Sequence, residues 1–374
     1  MVKSVLLLLP GAFSGYGGIE MYNRQFVRAF LELGQERGFE VRTLILNDET
    51  KDVDDRYARE GEDRQIGFGG RKVAFAAAAL RGTYLGRPDL IVLGHVHFAR
   101  LGRVLGRLSP ASRLWYLAYG IDVWRALSPA IQRGLAIAES ILAISRYTAG
   151  ELQKNADVPP ERIGLLPCAL DPAWQARYGP GALDARPTTE APPLLLTVAR
   201  LAAAEGYKGV DSVLRSLPGV LRALPDLRYE VVGDGVDRPR LESLAGELGV
   251  RDHVRFRGRL GPDELASAYR ACTLYVMPSS HEGFGIVFLE AALFGKPSIG
   301  GRHGGTPEVI EDGVTGLLVD REDVAALERA LVRLLKDEKG RAQMGAAARA
   351  RLEERFTYVG FRSALSAHLE ARHA

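Results

Sequence analysis

The chain has 374 residues, 47% of them apolar and 25% charged, with a formal net charge of +3. That length is too great for one ordinary core and predicts two α/β domains of roughly 150 to 200 residues each, meeting at a cleft. The balanced composition excludes a disordered chain, the near-neutral charge and missing recognition motifs argue against nucleic-acid binding, and the two distant cysteines, Cys168 and Cys272, make neither a disulfide framework nor a zinc site.

The apolar run from Val5 leads into glycine-rich sequence instead of a cleavage site, so Val2 to Leu9 reads as a strand and not as a secretion signal. The loop at 11–18 then feeds a segment in which Ile19, Tyr22, Phe26, Phe30 and Leu33 recur at helical spacing. Further strands are expected at 41–46, 90–93, 114–117 and 141–144, which makes residues 1–170 one doubly wound domain. Residues 171–193 are rich in Pro, Gly and Thr without periodicity and read as the linker. A second alternating series, with strands near 194–198, 229–232, 254–257, 274–277, 297–300 and 316–319, fills residues 194–356. The tail, 357–374, is helical in pattern and is expected to pack back on the first domain. No segment reaches the roughly 20 apolar residues that span a bilayer, and the expected location is cytoplasmic.

The most informative stretch is His281-Glu-Gly-Phe-Gly-Ile-Val-Phe-Leu-Glu290. From about Gly285 apolar residues occupy every face, so the helix is expected to be buried all round, and a carboxylate inside it must be paired, hydrogen-bonded or turned to a polar cavity. Taken alone, Glu290 is as well read as half of an ion pair holding helix to sheet. Glu282, however, precedes the helix in a glycine-containing loop just after a strand, where open α/β sheets bind ligands. Eight residues of helix span about 12 Å, so the two carboxylates would address two parts of one extended ligand, with the amides of the helix start between them. Such amides suit a diphosphate, and carboxylates accept hydrogen bonds from sugar and ribose hydroxyls.

This pattern resembles the family 4 retaining glycosyltransferases of the GT-B fold, two Rossmann-like domains facing across a cleft, whose signature is two glutamates separated by seven residues. The likeness extends through Gly17 and Gly18 in the first loop, Val-Ala-Arg-Leu at 198–201, Lys208-Gly209, Gly-Asp-Gly at 233–235 and Gly-Gly-Thr-Pro-Glu at 304–308. It implies that Glu282 contacts the donor sugar and Glu290 the ribose. Backbone amides near Phe284, Gly285, Ile286 and Val287 would hold the sugar and diphosphate. Arg200 and Lys208 match the family's cationic pair; at a strand end a guanidinium and an ammonium can neutralise a leaving diphosphate, although loop cations are often merely solvated.

The loop Ser14-Gly-Tyr-Gly-Gly-Ile19 is not the dinucleotide fingerprint, since the position three beyond Gly17 is Glu20. It is either a tight turn or, as the resemblance implies, the place where Gly17 and Gly18 let the first domain approach the diphosphate. Many relatives carry a His-Gly pair where this chain has Tyr119-Gly120, so that histidine's role does not transfer. Asp122, as an acceptor contact or a helix cap, and His95 and His97 after a strand are the candidates for the acceptor side.

No Gly-x-Ser-x-Gly elbow and no pair of carboxylates at glycosidase distance is present, so nothing demands a covalent step. The resemblance implies retention of configuration by front-face attack, with the donor's phosphate oxygen taking the acceptor's proton. Asp52-Val-Asp54 lies in a charged loop, away from the nucleotide site, so metal-independent transfer without a cofactor is expected. The expected substrates are a GDP- or UDP-linked hexose, mannose or glucose, and a glycan or lipid-linked acceptor. Arg100, Arg103 and Arg107 at helical spacing beside Leu101, Val104, Leu105 and Leu108 form either an ordinary exposed face or a basic amphipathic stretch for an anionic membrane. A hydrolysing sugar-nucleotide epimerase and a non-catalytic nucleotide-sugar-binding subunit are the rival readings.

Overall fold

The computed structural model describes residues 2–15, 17–52, 65–179 and 192–371. Tyr16 of the first glycine-rich loop, Val53 and Asp54 of the Asp-x-Asp triplet, most of the expected linker (180–191) and the last three residues lie outside the described residues. The chain forms two compact units, Met1–Asp171 with Tyr358–Ala374, and Pro172–Thr357.

The first unit is a seven-stranded parallel sheet of β1 (Ser4–Leu9), β2 (Glu40–Ile45), β3 (Gln65–Gly67), β4 (Leu90–Leu93), β5 (Arg113–Ala118), β6 (Ser140–Ala143) and β7 (Ile163–Leu165), in spatial order 3-2-1-4-5-6-7. Its strands read as near-continuous apolar runs because helices cover both faces of a parallel sheet: every residue of β4 and β6, and all but the first of β1 and β5, is buried. The crossovers are α1 (Gly18–Arg37), α2 (Lys72–Gly86), α3 (Ala99–Leu108), α4 (Pro129–Leu135) and α5 (Arg146–Ala156). Strand order reverses between β1 and β4, and a crevice opens outside the carboxyl ends of strands at such a point.

The second unit starts earlier than the sequence pattern suggested. Pro172–Tyr178 of the expected linker is a helix, α6, because Trp174 and Tyr178 supply apolar anchors among the Pro and Gly: their rings meet at 4.6 Å, and Trp174 sets its edge to Phe294 at 6.5 Å. The sheet follows with β8 (Leu194–Val198), β9 (Arg228–Val232), β10 (Val254–Gly258), β11 (Leu274–Met277), β12 (Ser298–Gly301) and β13 (Gly316–Val319), all parallel in order 10-9-8-11-12-13, so the reversal falls between β8 and β11. Around it lie α7 (Val210–Ala223), α8 (Arg238–Glu247), α9 (Pro262–Ala271), α10 (Ile286–Leu293), α11 (Thr306–Val309), α12 (Val324–Lys336) and α13 (Glu338–Arg355).

The tail helix, α14 (Tyr358–Glu370), belongs to the first unit. Its apolar face, Tyr358, Phe361, Leu365 and Leu369, has the three- and four-residue spacing that one side of a helix requires. Phe361 meets Tyr22 of α1 edge-on at 5.4 Å, and the Tyr358 hydroxyl donates to Glu32 at 2.9 Å. Among the described residues no helix is long and apolar enough to cross a membrane.

Candidate functional site

In the second unit three loops converge on Glu282. The loop after β11 carries it, and the loop after β8 is pinned alongside, with Ser280 N–H donating to the Tyr207 carbonyl at 2.9 Å. The loop after β12 closes from the other side: Gly305 N–H donates to the Glu282 carbonyl at 2.6 Å. Gly304 next to it has φ +77°, and a Cβ there would lie 2.6 Å from the Glu282 nitrogen. Only glycine fits, both for its left-handed backbone and for the approach of the two chains.

Held this way, the Glu282 carboxylate meets Lys208, whose Nζ lies 2.6 Å from Oε2. The two side chains are 16% and 14% exposed, dry enough for their charges to interact strongly yet open to a ligand. Burial alone would lower the Lys208 pKa; the charge of Glu282, the Tyr207 hydroxyl, the hydrogen bond to Glu282 and the charge of Glu205 outweigh it, so the ammonium's pKa is raised and it stays charged. Arg200 pairs with Glu205 at 2.6 Å, the arginine 67% exposed and the glutamate 8%. The two cations expected from sequence therefore each carry a carboxylate partner. Burial pushes the Tyr207 hydroxyl, which feels the charges of all four groups, up to about 12. Glu205 and Tyr207 went unmarked in the sequence, where an acidic and an aromatic residue in a short Ala- and Gly-rich loop give no signal of their own.

Beyond Glu282, Phe284 and Gly285 lead into α10, with Gly285 as its N-cap and Ile286 and Val287 in its first turn. The first amides of a helix have no acceptor within it and carry the positive end of its dipole. Seven of the eight residues of α10 are buried, among them Glu290. Its Oε2 accepts a 2.7 Å bond from the Tyr269 hydroxyl of α9. Among the described residues no three His, Cys, Asp or Glu side chains are grouped so as to hold a metal ion.

The candidates of the first unit also come together, at the carboxyl ends of β1, β4 and β5. Buried Asp48, which the sequence did not single out, organises the loop after β1 by accepting from the amides of Ala12 (2.9 Å) and Phe13 (2.6 Å) and from the Ser14 hydroxyl (2.7 Å). Gly17 caps α1 and Gly18 begins it. The Glu20 carboxylate stands over this turn, and a Cβ on Gly17 would lie 2.3 Å from its Oε2. A carboxylate is favourable at a helix start, so this N-terminus holds an anion of its own.

Tyr119 is a buried latch. Its hydroxyl shares its proton between Asn23 Oδ1 (2.6 Å) and the Gly94 carbonyl (2.9 Å), and Asn23 Nδ2 in turn donates to the Gly11 carbonyl at 2.7 Å. Asp122 caps no helix; its Oδ1 closes a turn by accepting from Tyr119 N–H at 2.9 Å, and its Oδ2 is buried without a hydrogen-bond partner among the described residues. Burial, opposed by backbone bonds from Tyr119, Asp122 and Gly120, pushes this carboxyl up to about 7. His95 sits 6.0 Å from the Tyr119 ring and stacks on His97 at 4.9 Å, its Nδ1 accepting from His97 N–H at 3.2 Å. Burial and then the neighbouring His97 push His95 down to about 4, which keeps it neutral at pH 7.

Residues 16–174 match the model of Glycosyltransferase Family 4, and residues 184–351 that of Glycosyl transferases group 1. The chain belongs to the family 4 GT-B glycosyltransferases. The chain is 32% identical over 262 residues to a GDP-mannose-dependent α-(1-6)-phosphatidylinositol monomannoside mannosyltransferase of Mycolicibacterium smegmatis, covering 66% of either chain. It is 33% identical over 225 residues to a D-inositol 3-phosphate glycosyltransferase of Streptomyces scabiei, covering 58% of its own length and 50% of that relative. The chain thus matches between half and two thirds of these relatives' own length. In fold it is similar to Anabaena HepE, solved with UDP, at TM-score 0.76 and 19% identity over 98% of this chain and 99% of that one. Sucrose-phosphate synthase of Thermosynechococcus elongatus gives TM-score 0.78 and 21% identity over 98% of each.

Proposed function

We propose that this glycosyltransferase moves a hexosyl group, mannose or glucose, from a GDP- or UDP-sugar to a glycan or lipid-linked acceptor, with retention of configuration and without a metal ion. The observation that carries the reading is the half-buried Lys208–Glu282 pair beside the start of α10. A diphosphate placed against the first-turn amides near Phe284, Gly285, Ile286 and Val287 meets Lys208, and Arg200 after release from Glu205, as the positive charges that stabilise it on leaving. Glu282 is the group for the donor sugar hydroxyls, and Glu290 for the ribose.

The bond from the anomeric carbon to the phosphate oxygen breaks with both electrons going to the diphosphate. The acceptor oxygen bonds to the same face of that carbon, and its proton passes to the departing phosphate oxygen. Lys208 acts only as a fixed charge in this step, as its raised pKa suits. Within the first unit, Asp122, His95 and His97 are the candidates for the acceptor side, and the resemblance implies a diphosphate role for Gly17 and Gly18. The names of the relatives, one GDP-mannose-dependent and acting on a phosphatidylinositol mannoside, favour a mannosyl donor and a lipid-linked acceptor. The basic face of α3, with Arg100 and Arg107 exposed beside Val104 and Leu108, gives such an enzyme a place to rest on the inner, cytoplasmic face of a membrane.

The test is a panel of GDP- and UDP-hexoses, with and without EDTA, offered with acceptor glycolipids. Transfer that survives EDTA and yields the donor's own anomeric configuration is the expected result; an inverted product, or donor bound but neither transferred nor slowly hydrolysed, would falsify the proposal. Sedimentation with anionic vesicles, lost on reversing Arg100 and Arg107 to glutamate, tests the membrane contact separately.

A further inference from the structure

Glu290 lies in a helix with apolar side chains on every face, so nothing in the bare sequence explains how its carboxylate is aimed. A glutamate carboxylate hangs from its backbone by three rotatable bonds and turns unless something grips it, and a loosely aimed acceptor discriminates poorly between ligands. One grip comes from α9. Tyr269 is fully buried, and its hydroxyl donates to Glu290 Oε2 at 2.7 Å.

The ring that carries this hydroxyl is itself fixed. Phe294, at the end of α10, stacks on it with centroids 5.7 Å apart and planes 7° from parallel, and Tyr275 of β11 packs from another side at 5.9 Å. Phe294 is in turn backed by the edge of Trp174 in α6, at 6.5 Å. A phenol clamped between aromatic neighbours can move its oxygen little, so the direction of its bond to Glu290 is set by packing. Burial, followed by the charge of Glu290, raises the phenol's pKa well above its ordinary value, so it remains a donor throughout the working pH range.

We infer that Tyr269 is a positioning residue for Glu290, and that the column Trp174–Phe294–Tyr269 makes the enzyme selective for ribonucleotides over their deoxy counterparts. The inference rests on the reading that Glu290 takes the ribose. A carboxylate held in one orientation presents its oxygens in one direction, and a ribose hydroxyl that meets them gains a charge-assisted bond that a deoxyribose forgoes. Tyr269 touches neither sugar nor phosphate; it acts through Glu290.

The experiment measures, by calorimetry, the dissociation constants of GDP and UDP and of their 2′-deoxy and 3′-deoxy forms for the wild type, Glu290→Gln and Tyr269→Phe. Bonds to a charged group of this kind correspond to about tenfold or more in affinity, so the wild type should prefer the ribonucleotide by about that factor over at least one deoxy form. Tyr269→Phe should weaken the ribonucleotide about fivefold to tenfold while changing the deoxynucleotide less than about twofold, so that the ratio collapses towards that of Glu290→Gln. A general loosening of the unit would weaken both ligands alike and leave the ratio standing, and that outcome overturns the inference. A wild type that prefers neither form removes the ribose reading of Glu290 and this inference with it, a failure visible before any variant is made. Phe294→Leu, which keeps the hydroxyl but unseats the ring, provides the second variant: an intermediate ratio supports the column, and a wild-type ratio shows that the ring needs no such support.

Discussion

The two units run the same strand order through the same reversal, yet they line the resulting crevices with opposite chemistry. In the second unit the loops after β8 and β11 gather charged groups in pairs, Lys208 with Glu282 and Arg200 with Glu205. In the first, the loops after β4 and β5 gather groups whose surroundings hold them near neutrality: His95 down to about 4, Asp122 up to about 7, and Tyr119 buried as a donor. At the start of α1 stands a carboxylate, Glu20. One topology thus carries two kinds of crevice, one lined by ion pairs, whose chemistry would suit a diphosphate, and one lined by hydrogen-bonding groups, whose chemistry would suit hydroxyls, and a few loop residues decide which.

The sharpest way to break this contrast is to discharge the ionic crevice. Glu282→Ala should reduce kcat by about a hundredfold to a thousandfold, as expected for a group that favours the transition state, with nucleotide affinity nearly unchanged. Steady-state kinetics with saturating donor check it, and unaltered turnover would remove Glu282 from the reaction. Glu290→Ala should instead show in binding, weakening GDP or UDP by about tenfold or more in a titration. Gly304→Ala asks whether the ionic crevice depends on its backbone. A side chain at φ +77° and 2.6 Å from the Glu282 nitrogen should cost about 2 kcal/mol of stability, read from denaturant unfolding, and should disturb turnover through Glu282.

The smallest effect belongs to the neutral crevice. Asp122 has a folded pKa of about 7 against an ordinary 3.8, so the folded state holds its proton more tightly, and stability present at low pH is lost as pH rises from about 4 through 7. His95, at about 4 against 6.5, runs the other way: its contribution is present above 6.5 and lost as pH falls towards 4. Asp122→Asn keeps the acceptor for Tyr119 N–H and removes the first of these slopes. It should gain about 1 to 2 kcal/mol at pH 8 and nothing near pH 4, leaving the acid-side loss due to His95. Melting curves from pH 4 to pH 8 decide; a variant no more stable than wild type at pH 8 would mean that Asp122 is not held near neutrality.

The fold was legible where burial leaves its mark on consecutive residues. Strand β4 is apolar throughout and β1 from Val5 onward, and the all-apolar surroundings of Glu290 marked it as a carboxylate in need of a partner. What could not be read was the partner. Tyr269 lies 21 positions before Glu290, Asp48 34 positions after Ser14, and only the order of strands in the sheet brings each pair together. The three-residue strands β3 and β7 are too short for any alternation to show, and the aromatic neighbours and the Asp263 carboxylate that hold α6 lie far from it in sequence. Tyr119 is the clearest case. Its departure from the related pattern was visible, but its work as a latch between the loops after β1, β4 and β5 depends on Asn23 and Gly94, which nothing in the local sequence connects to it.

The seat of α14 bears on how the molecule is made. Residues 358–370 leave the ribosome only after the entire second unit, yet they cover Tyr22 and bond to Glu32 on a helix synthesised before that unit. The unit that emerges first is therefore the one finished last, and until the tail arrives its α1 face, with Tyr22 against Phe26, stays open to water and to other nascent chains. A chain halted at Thr357 should carry a complete second unit and an unfinished first one, with its failure confined to the neutral crevice and its helix.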